Sequence, residues 1–337
     1  MKQSNLTPGF SMSPQPPVIS VFMLAYNHGP YIAQAIQSIL DQKTDLDYEL
    51  VIGEDCSTDN TRAVITSFKE RYPEKIRVIE NTTNVGMHEN FLRTLFSCTG
   101  KYLCICEGDD YWEHQDKLNI QYQFLESHPD YVLVCGNHKK YIHNEKRFER
   151  GDSVSVKDHD ISFEKLTRFN CITTATIMFR NVLKRSDFAD DFYSIISCDW
   201  YMHMKLLNHG KIRYLNYVFA VYRINDGSIN GRTNRLAIAK KEMDFLQLVK
   251  TGSLLALDIN KKEQLETSII FKHYDLATAH ALNRSRKEAI GLCLHAFKNR
   301  PFSKEGFVSL VKTSIQIISP GLFQALRRVK RKAVHAE

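Results

Sequence analysis

The sequence predicts an α/β fold, a mainly parallel sheet flanked by helices, followed by a C-terminal helical extension. Three observations predict it. Short apolar runs rich in β-branched residues, such as Val18–Leu24, recur through the first half, each followed by a polar loop and an amphipathic helix. Strands that alternate with helices of this length require parallel pairing through right-handed crossovers. From about residue 234 the strand signals stop and the pattern becomes helical. The expected organisation is a flexible, polar, Pro-rich leader at 1–17, an α/β unit at 18–232, and a helical region with a basic tail at 233–337.

Val18–Leu24 (VISVFML) reads as a strand buried on both faces. Tyr26-Asn27-His28-Gly29 is a loop. Pro30 suits the first position of a helix, whose apolar face is Ile32, Ile36, Ile39 and Leu40. Tyr48–Gly53 is the second strand and Glu54–Asp59 its polar loop. Thr58 or Asp59 can cap a helix with a core face of Val64, Ile65, Phe68 and Tyr72. Ile76–Ile79 is a third strand, a helix follows near Glu89–Ser97, and Lys101–Cys106 is a fourth strand. Beyond it come a helix at Gln115–Ser127, a strand at Tyr131–Cys135, a polar extended excursion at 140–160 and a strand at Thr173–Phe179. Asp199–Asn208 forms a helix that Gly210 ends, and Lys211–Leu215 and Val218–Arg223 are short strands. Residues 266–300 read as two antiparallel helices, with Ala277, Ala281 and Ala289 small enough for close packing. They are faintly like one tetratricopeptide unit, a pattern that carries little weight as a single copy.

Composition bounds the function. The 337 residues are 43% hydrophobic and 25% charged, an ordinary globular balance. Eight scattered cysteines include no CxxC pair, which gives a zinc site no support. Several lie in apolar runs, where a free thiol packs as a small hydrophobe. Thiols of this kind and the absence of an apolar signal segment suit a reducing cytoplasm. The run Phe307–Phe323 is interrupted by Lys312, Gln316 and Pro320 and is too short to span a bilayer. Net charge is +7, and Arg327, Arg328, Lys330, Arg331 and Lys332 concentrate much of it at the C-terminus. Phe307, Leu310, Val311, Ile315 and Ile318 precede them at helical spacing. This tail either holds the protein peripherally on an anionic membrane surface, the inner face of the plasma membrane, or packs its apolar face on the rest of the chain and leaves the basic run solvated. No nucleic-acid partner is expected. His28, His88, His138, His143 and His159 do not make a spaced metal set and read as loop or surface residues.

In open parallel sheets, ligands bind beyond the carboxyl ends of the strands. The loops there carry Ala25, Tyr26 and Asn27 after the first strand, Glu54 and Asp55 after the second, and Glu107-Gly108-Asp109-Asp110 after the fourth. Three carboxylates in four residues repel one another unless a cation neutralises them. Oxygen ligands on a tight turn suit Mg²⁺ or Mn²⁺, which can bridge to a diphosphate. A capped loop before a helix accounts for the same residues without a metal. In the second loop Asp55 reads as ligand-binding and Asp59 as structural, Ser57 and Thr58 being good turn residues. Arg223, at the end of the last strand, reads by itself as a surface arginine.

These stretches carry a resemblance. VISVFMLAYNHGPYIAQAIQSILDQ, YELVIGEDCSTDNT, IRVIENTTNVGMHENF, GKYLCICEGDDYW and CDWYMHMKLLNHGKIRYLNYVFAVYR are similar, in order, to the motifs of the family 2 inverting glycosyltransferases. Together they cover residues 18 to about 230. The resemblance implies a GT-A fold, a nucleotide-sugar donor, commonly UDP-linked, a divalent metal cofactor, and a glycan or lipid-linked acceptor. It implies that Tyr26 stacks on the base, that Asp55 holds it, that Asp109 faces the ribose, that Asp110 ligates the metal with Asp109 and Glu107 beside it, and that Asp199 is the catalytic base. It also offers Arg223 a phosphate contact. Asp199 read by itself is an N-cap of the helix it opens. Glu107 stands where many members have the first Asp of a DxD. Cys56 stands where the family commonly has Gly, which argues against a left-handed turn there.

Other readings meet obstacles. A nucleotidyltransferase usually needs a Gly-rich phosphate loop after the first strand, and here that loop holds the single Gly29. A dinucleotide dehydrogenase lacks its GxGxxG. A non-catalytic nucleotide-sugar-binding or scaffold protein, with the C-terminal helices as its interaction module, has no reason to keep Asp109, Asp110 and Asp199 together.

Overall fold

The computed structural model describes residues 16–151, 157–195, 197–225, 235–252, 254–283 and 285–299, with 311, 313 and 314. Residues 1–15 of the leader, most of the apolar 307–318 run and the basic run at 327–332 lie outside the described residues.

Four parallel strands make the first half of the sheet: β1 (Ile19–Ala25), β2 (Tyr48–Glu54), β3 (Ile76–Glu80) and β4 (Tyr102–Ile105). They lie in the order β3-β2-β1-β4, with Ile19 opposite both Tyr48 and Tyr102. Between them run α1 (Ile32–Leu40), α2 (Thr61–Arg71) and α3 (Met87–Ser97). β1 is buried on both faces, as its unbroken apolar run predicts. Val21 and Met23 join the core cluster of Ile36 and Ile39, while Phe22 joins the opposite cluster with Phe91 and Leu95. Full burial of each such side chain contributes roughly 1.5–3 kcal/mol, so this central strand anchors the rim that follows it.

The second half is mixed. After the two-residue β5 (Tyr111–Trp112) come α4 (Lys117–Ser127), β6 (Tyr131–Ile142), β7 (Arg147–Arg150), β8 (His159–Asp160), α5 (Phe163–Arg168), β9 (Met178–Arg180), α6 (Cys198–Leu206) and β10 (Lys211–Ile224). The sheet continues β4-β9-β6-β10-β5, with β9 antiparallel to both neighbours and β6 parallel to β10. Three expectations change. The strand expected at Thr173–Phe179 starts as a 3-10 turn at Thr174–Thr176, where the Thr176 hydroxyl donates to the Thr173 carbonyl, and only Met178–Arg180 pairs. The polar stretch after 140 is in part a hairpin, β7 pairing antiparallel with the long end of β6. The two short strands at 211–223 are one strand, β10, which passes register irregularities near Leu215 and Val218 without breaking.

Three helices follow, α7 (Arg235–Lys250), α8 (Ile259–Leu282) and α9 (Arg286–Asn299). Phe245, Leu246 and Val249 of α7 and Leu265 and Ile269 of α8 belong to the same core as α6, where the Trp200 and Phe245 rings lie 4.4 Å apart. Ala277, Ala281 and Ala289 are buried between α8 and α9, the close packing their size predicts. No described helix is long and apolar enough to cross a membrane.

Candidate active site

Because β2, β1 and β4 are neighbours, the loops that leave their carboxyl ends lie side by side. Backbone bonds fix their stagger: Asp55 N donates to the Ala25 carbonyl at 3.0 Å, and Gly108 N donates to the Leu24 carbonyl at 3.0 Å. A Cβ on Gly108 would stand 2.6 Å from both His28 Nδ1 and Ile32 Cδ1, so a side chain there would push His28 and Ile32 aside where the acidic turn lies against the first loop.

The first two loops are zipped together. Ala25 is buried at the end of β1, and Tyr26 beside it is 44% exposed. Asn27 takes a left-handed φ of 54°. Its Oδ1 accepts from Thr58 N at 2.8 Å, and its N donates to Ser57 Oγ at 3.0 Å. Asp59 accepts from Gly29 N at 2.9 Å and from Thr61 N at 2.9 Å, the structural part expected of it. Glu54 is wholly buried. It accepts from Ser57 N at 2.6 Å and from the Arg62 guanidinium at 2.6 Å. Burial opposes its ionisation, but the Ser57 bonds and Arg62 hold its carboxyl below the usual range. Asp55 is nearly buried and gathers the 81–86 loop, accepting from Asn81 Nδ2 at 3.1 Å, Val85 N at 2.8 Å and Gly86 N at 3.0 Å. Cys56, between these anchors, has φ 57°. The left-handed turn that its side chain argued against is therefore present, over-determined by the bonds of Asp55 and Ser57 on either side.

The third loop is the acidic turn, closed by Asp110 N donating to the Glu107 carbonyl at 3.0 Å. Asp109 Oδ2 accepts from Asn225 Nδ2 at 3.1 Å. Asp110 Oδ1 accepts from Arg223 N at 2.8 Å, while its Oδ2 is buried and has no hydrogen-bond partner. Burial, and then repulsion by Asp109 and Glu107, push the Asp110 carboxyl well above the usual range. Burial, followed by repulsion from Asp109 and Asp199, pushes Glu107 up to about 8. The turn thus carries more carboxylates than its own donors can serve. Among the described residues, no three His, Cys, Asp or Glu side chains converge on a point that could hold an ion.

Asp199 enters from the other half of the sheet, close enough for its charge to reach Glu107. It does not cap α6, since Ser197 holds the N-cap position. Its carboxylate accepts from Asn170 Nδ2 at 2.7 Å, from Thr174 Oγ1 at 3.2 Å and from Ser197 Oγ. One turn further along α6, His203 is fully buried with no partner on either ring nitrogen, and burial pushes it down to about 4 against the pull of Asp199.

Sequence reasoning missed the residues that hold these carboxylates. Arg223, read as a surface arginine, is only 5% exposed and bonds to the acidic turn. Its place at the end of an apolar strand, two residues before Asn225, was the available signal. Asn170, Thr174 and Ser197 carried none, because their link to Asp199 is tertiary.

The arrangement has relatives. The profile of Glycosyl transferase family 2 matches residues 20–187. An uncharacterized protein of Mycobacterium tuberculosis is 32% identical over 205 residues, 61% of this chain and 58% of that protein, so the chain spans little more than half of that relative's length. An uncharacterized glycosyltransferase of a Nostoc species is 31% identical over 229 residues, 66% of this chain and 70% of that protein. Among solved structures, S. aureus TarS 1–349 in complex with UDP-GlcNAc superposes with a TM-score of 0.62 at 16% identity, covering 94% of this chain and 92% of that one. The mannosyltransferase PcManGT of Pyrobaculum calidifontis, in complex with GDP-Man and Mn²⁺, superposes with a TM-score of 0.57 at 16% identity over 91% of this chain and 89% of that one. At such identities the superpositions speak for the fold alone, the GT-A arrangement of a mainly parallel sheet between helices. The profile and the Nostoc relative make this chain a member of glycosyl transferase family 2.

Proposed function

We propose that this glycosyltransferase moves a hexosyl unit from a nucleotide-diphosphate sugar, UDP-linked, to a glycan or lipid-linked acceptor with inversion and with the help of Mn²⁺ or Mg²⁺. The observation that carries the proposal is the buried, partnerless Oδ2 of Asp110 beside Asp109 and Glu107, within electrostatic reach of a well-braced Asp199. A nucleotide-sugar donor is what the TarS fragment binds.

The acidic turn fits a divalent cation. Asp110 offers an oxygen that no group among the described residues serves, with Asp109 and Glu107 beside it. Among the described residues no three such side chains converge on one point, so Asp110, Asp109 and Glu107 would hold a cation together with oxygens of the donor. A cation bound there offsets charge that develops on the leaving diphosphate. Exposed Tyr26 lies against the base, and Asp55 reaches it from the second loop. Glu54, turned inward, serves the donor through the loop it holds together. Asp109 faces the ribose. Asp199 takes the proton of the acceptor hydroxyl, and that oxygen displaces the diphosphate in one step, so an α-linked donor gives a β-linkage.

Residues 18–232 form the catalytic unit in this proposal and 233–337 the helical region. The working place is the cytoplasmic side of the plasma membrane, held by the C-terminal basic tail. Two experiments test it. A screen of nucleotide sugars with the purified protein should find one that is turned over with Mn²⁺ and spared in excess chelator; full activity in chelator removes the metal. Flotation with anionic vesicles at low salt should carry the whole chain but not one truncated after Pro301. A whole chain that stays down removes the membrane attachment.

A further inference from the structure

We propose that Arg223 and Asn225, at the end of β10, are positioning residues that set the acidic turn in the shape its metal-bound diphosphate needs. The inference rests on the metal reading above and assigns these two residues a part in it.

Three bonds support it, and all run to two consecutive residues of the turn. Arg223 Nε donates to the Asp109 carbonyl at 2.8 Å, Arg223 N donates to Asp110 Oδ1 at 2.8 Å, and Asn225 Nδ2 donates to Asp109 Oδ2 at 3.1 Å. The two carboxylates are each gripped from the β10 side. On Asp110 the grip takes Oδ1 and leaves the buried Oδ2 without a partner. A carboxylate held by one oxygen is oriented and still has the other to give to a cation, the arrangement that partners behind a metal ligand generally produce.

The guanidinium is held as firmly as it holds. Its Nη2 donates to Gln34 Oε1 on α1 at 2.7 Å, and it lies 4.8 Å from the Tyr31 ring, 5.4 Å from Tyr111 and 6.0 Å from Tyr141. Those rings belong to the first loop, to β5 and to β6, so one side chain ties four segments to the turn. A guanidinium this buried and caged by rings acts from behind the turn. Arginine is required over lysine because the planar fork reaches the Asp109 carbonyl and Gln34 at once and stacks on rings, whereas an ammonium is a point donor.

The test measures Mn²⁺ binding by electron paramagnetic resonance on the whole chain, with UDP or GDP present, beside thermal melts in chelator. Asp110→Ala should lose nucleotide-dependent Mn²⁺ binding. Arg223→Met should weaken it about tenfold or more, the scale for losing a group behind a metal ligand, and Asn225→Ala about threefold. Arg223→Lys should recover only part of the loss. All four should keep a single cooperative melt in chelator, which a general loss of structure would not allow. Wild-type protein that binds no Mn²⁺ with either nucleotide fails the metal reading itself. Wild type that binds, Asp110→Ala that does not, and Arg223→Met and Asn225→Ala that bind as tightly as wild type overturn this inference alone. If Arg223→Met does not fold, Gln34→Ala, which removes one anchor of the guanidinium from an exposed helix position, should still weaken Mn²⁺ binding a few fold, and unchanged binding there and in Asn225→Ala overturns the inference equally.

Discussion

Asp110 and Asp199 both lie within electrostatic reach of Glu107, and the protein treats them in opposite ways. Asp199 is met by three side-chain donors, from Asn170, Thr174 and Ser197, drawn from three places in the chain. Asp110 has one donor, a backbone N–H, and an oxygen buried with none. A buried carboxylate without donors is costly, and the cost is borne only where something else completes the site. In the proposed mechanism the difference separates two tasks. A carboxylate that must take a proton needs its geometry set before the acceptor arrives. One that must take a cation needs to be left incomplete.

The largest effect should come from completing Asp110 artificially. Asp110→Asn removes a carboxyl that the metal-free fold keeps protonated while the unfolded chain releases its proton, so near neutral pH the metal-free variant should melt higher than wild type. It should also lose transfer by about a thousandfold or more, since several kcal/mol of transition-state stabilisation depend on the cation. Melts in chelator and turnover with Mn²⁺ measure the two halves. A variant less stable than wild type in chelator breaks the contrast with Asp199.

Asp199→Asn should keep donor affinity and lose about a hundredfold or more in rate, the scale of a lost general base. Equal losses of affinity and rate would make Asp199 structural. Asn170→Ala sharpens the point: with one of three donors gone, the rate should fall by about tenfold while the donor KM holds, because the brace acts on the proton-accepting group alone.

Glu107 gives the comparison a pH dependence. Its carboxyl is held at about 8 in the folded chain against an ordinary 4.5. Between those values the folded state keeps a proton that the unfolded chain has released, so metal-free stability should fall as pH rises through that window and level off beyond it. Glu107→Gln should remove this slope, melting higher than wild type near pH 8 and nearly equal near pH 4.5. Parallel melting profiles for the two proteins would show that Glu107 is not repelled as the geometry requires.

Much of this was legible in the sequence, and the limits have physical reasons. β1 was readable because burial on both faces forces an unbroken apolar run, and the loops after β1, β2 and β4 followed from where parallel sheets bind ligands. The length of β10 was hidden because Asn216 and Tyr217 interrupt its apolar pattern, a break the strand absorbs as a register irregularity. The Thr-rich start of the segment before β9 reads as strand by propensity, yet its hydroxyls bond to the Thr173 carbonyl, His138 and Asp199 and the backbone turns. The acidic turn announces itself because three carboxylates in four residues need an explanation. The groups that brace it do not, since Arg223 and Asn225 lie more than a hundred residues away and look like any strand end. Cys56 shows the opposite failure: a local rule about glycine is overridden by bonds on both sides of it.

That override allows the smallest prediction, a control for the others. At φ 57° a residue with a Cβ bears about 1–2 kcal/mol of strain, which Cys56→Gly relieves. Glycine loses more chain entropy on folding, roughly 0.5–1 kcal/mol, so the two terms nearly cancel and the variant should be stabler by about 1 kcal/mol or less. The thiol hydrogen bond that glycine cannot make, from Cys56 Sγ to the Thr82 carbonyl at 3.7 Å, is weak. Asp55 and Ser57 keep their anchors, so donor KM and kcat should stay within about twofold of wild type, as for any change that leaves bound groups in place. Steady-state kinetics and a urea titration decide it. A tenfold rise in donor KM would mean that the thiol itself touches the donor. The second loop would then be a contact surface in its own right, and the division of labour between a braced Asp199 and an incomplete Asp110 would describe only part of the site.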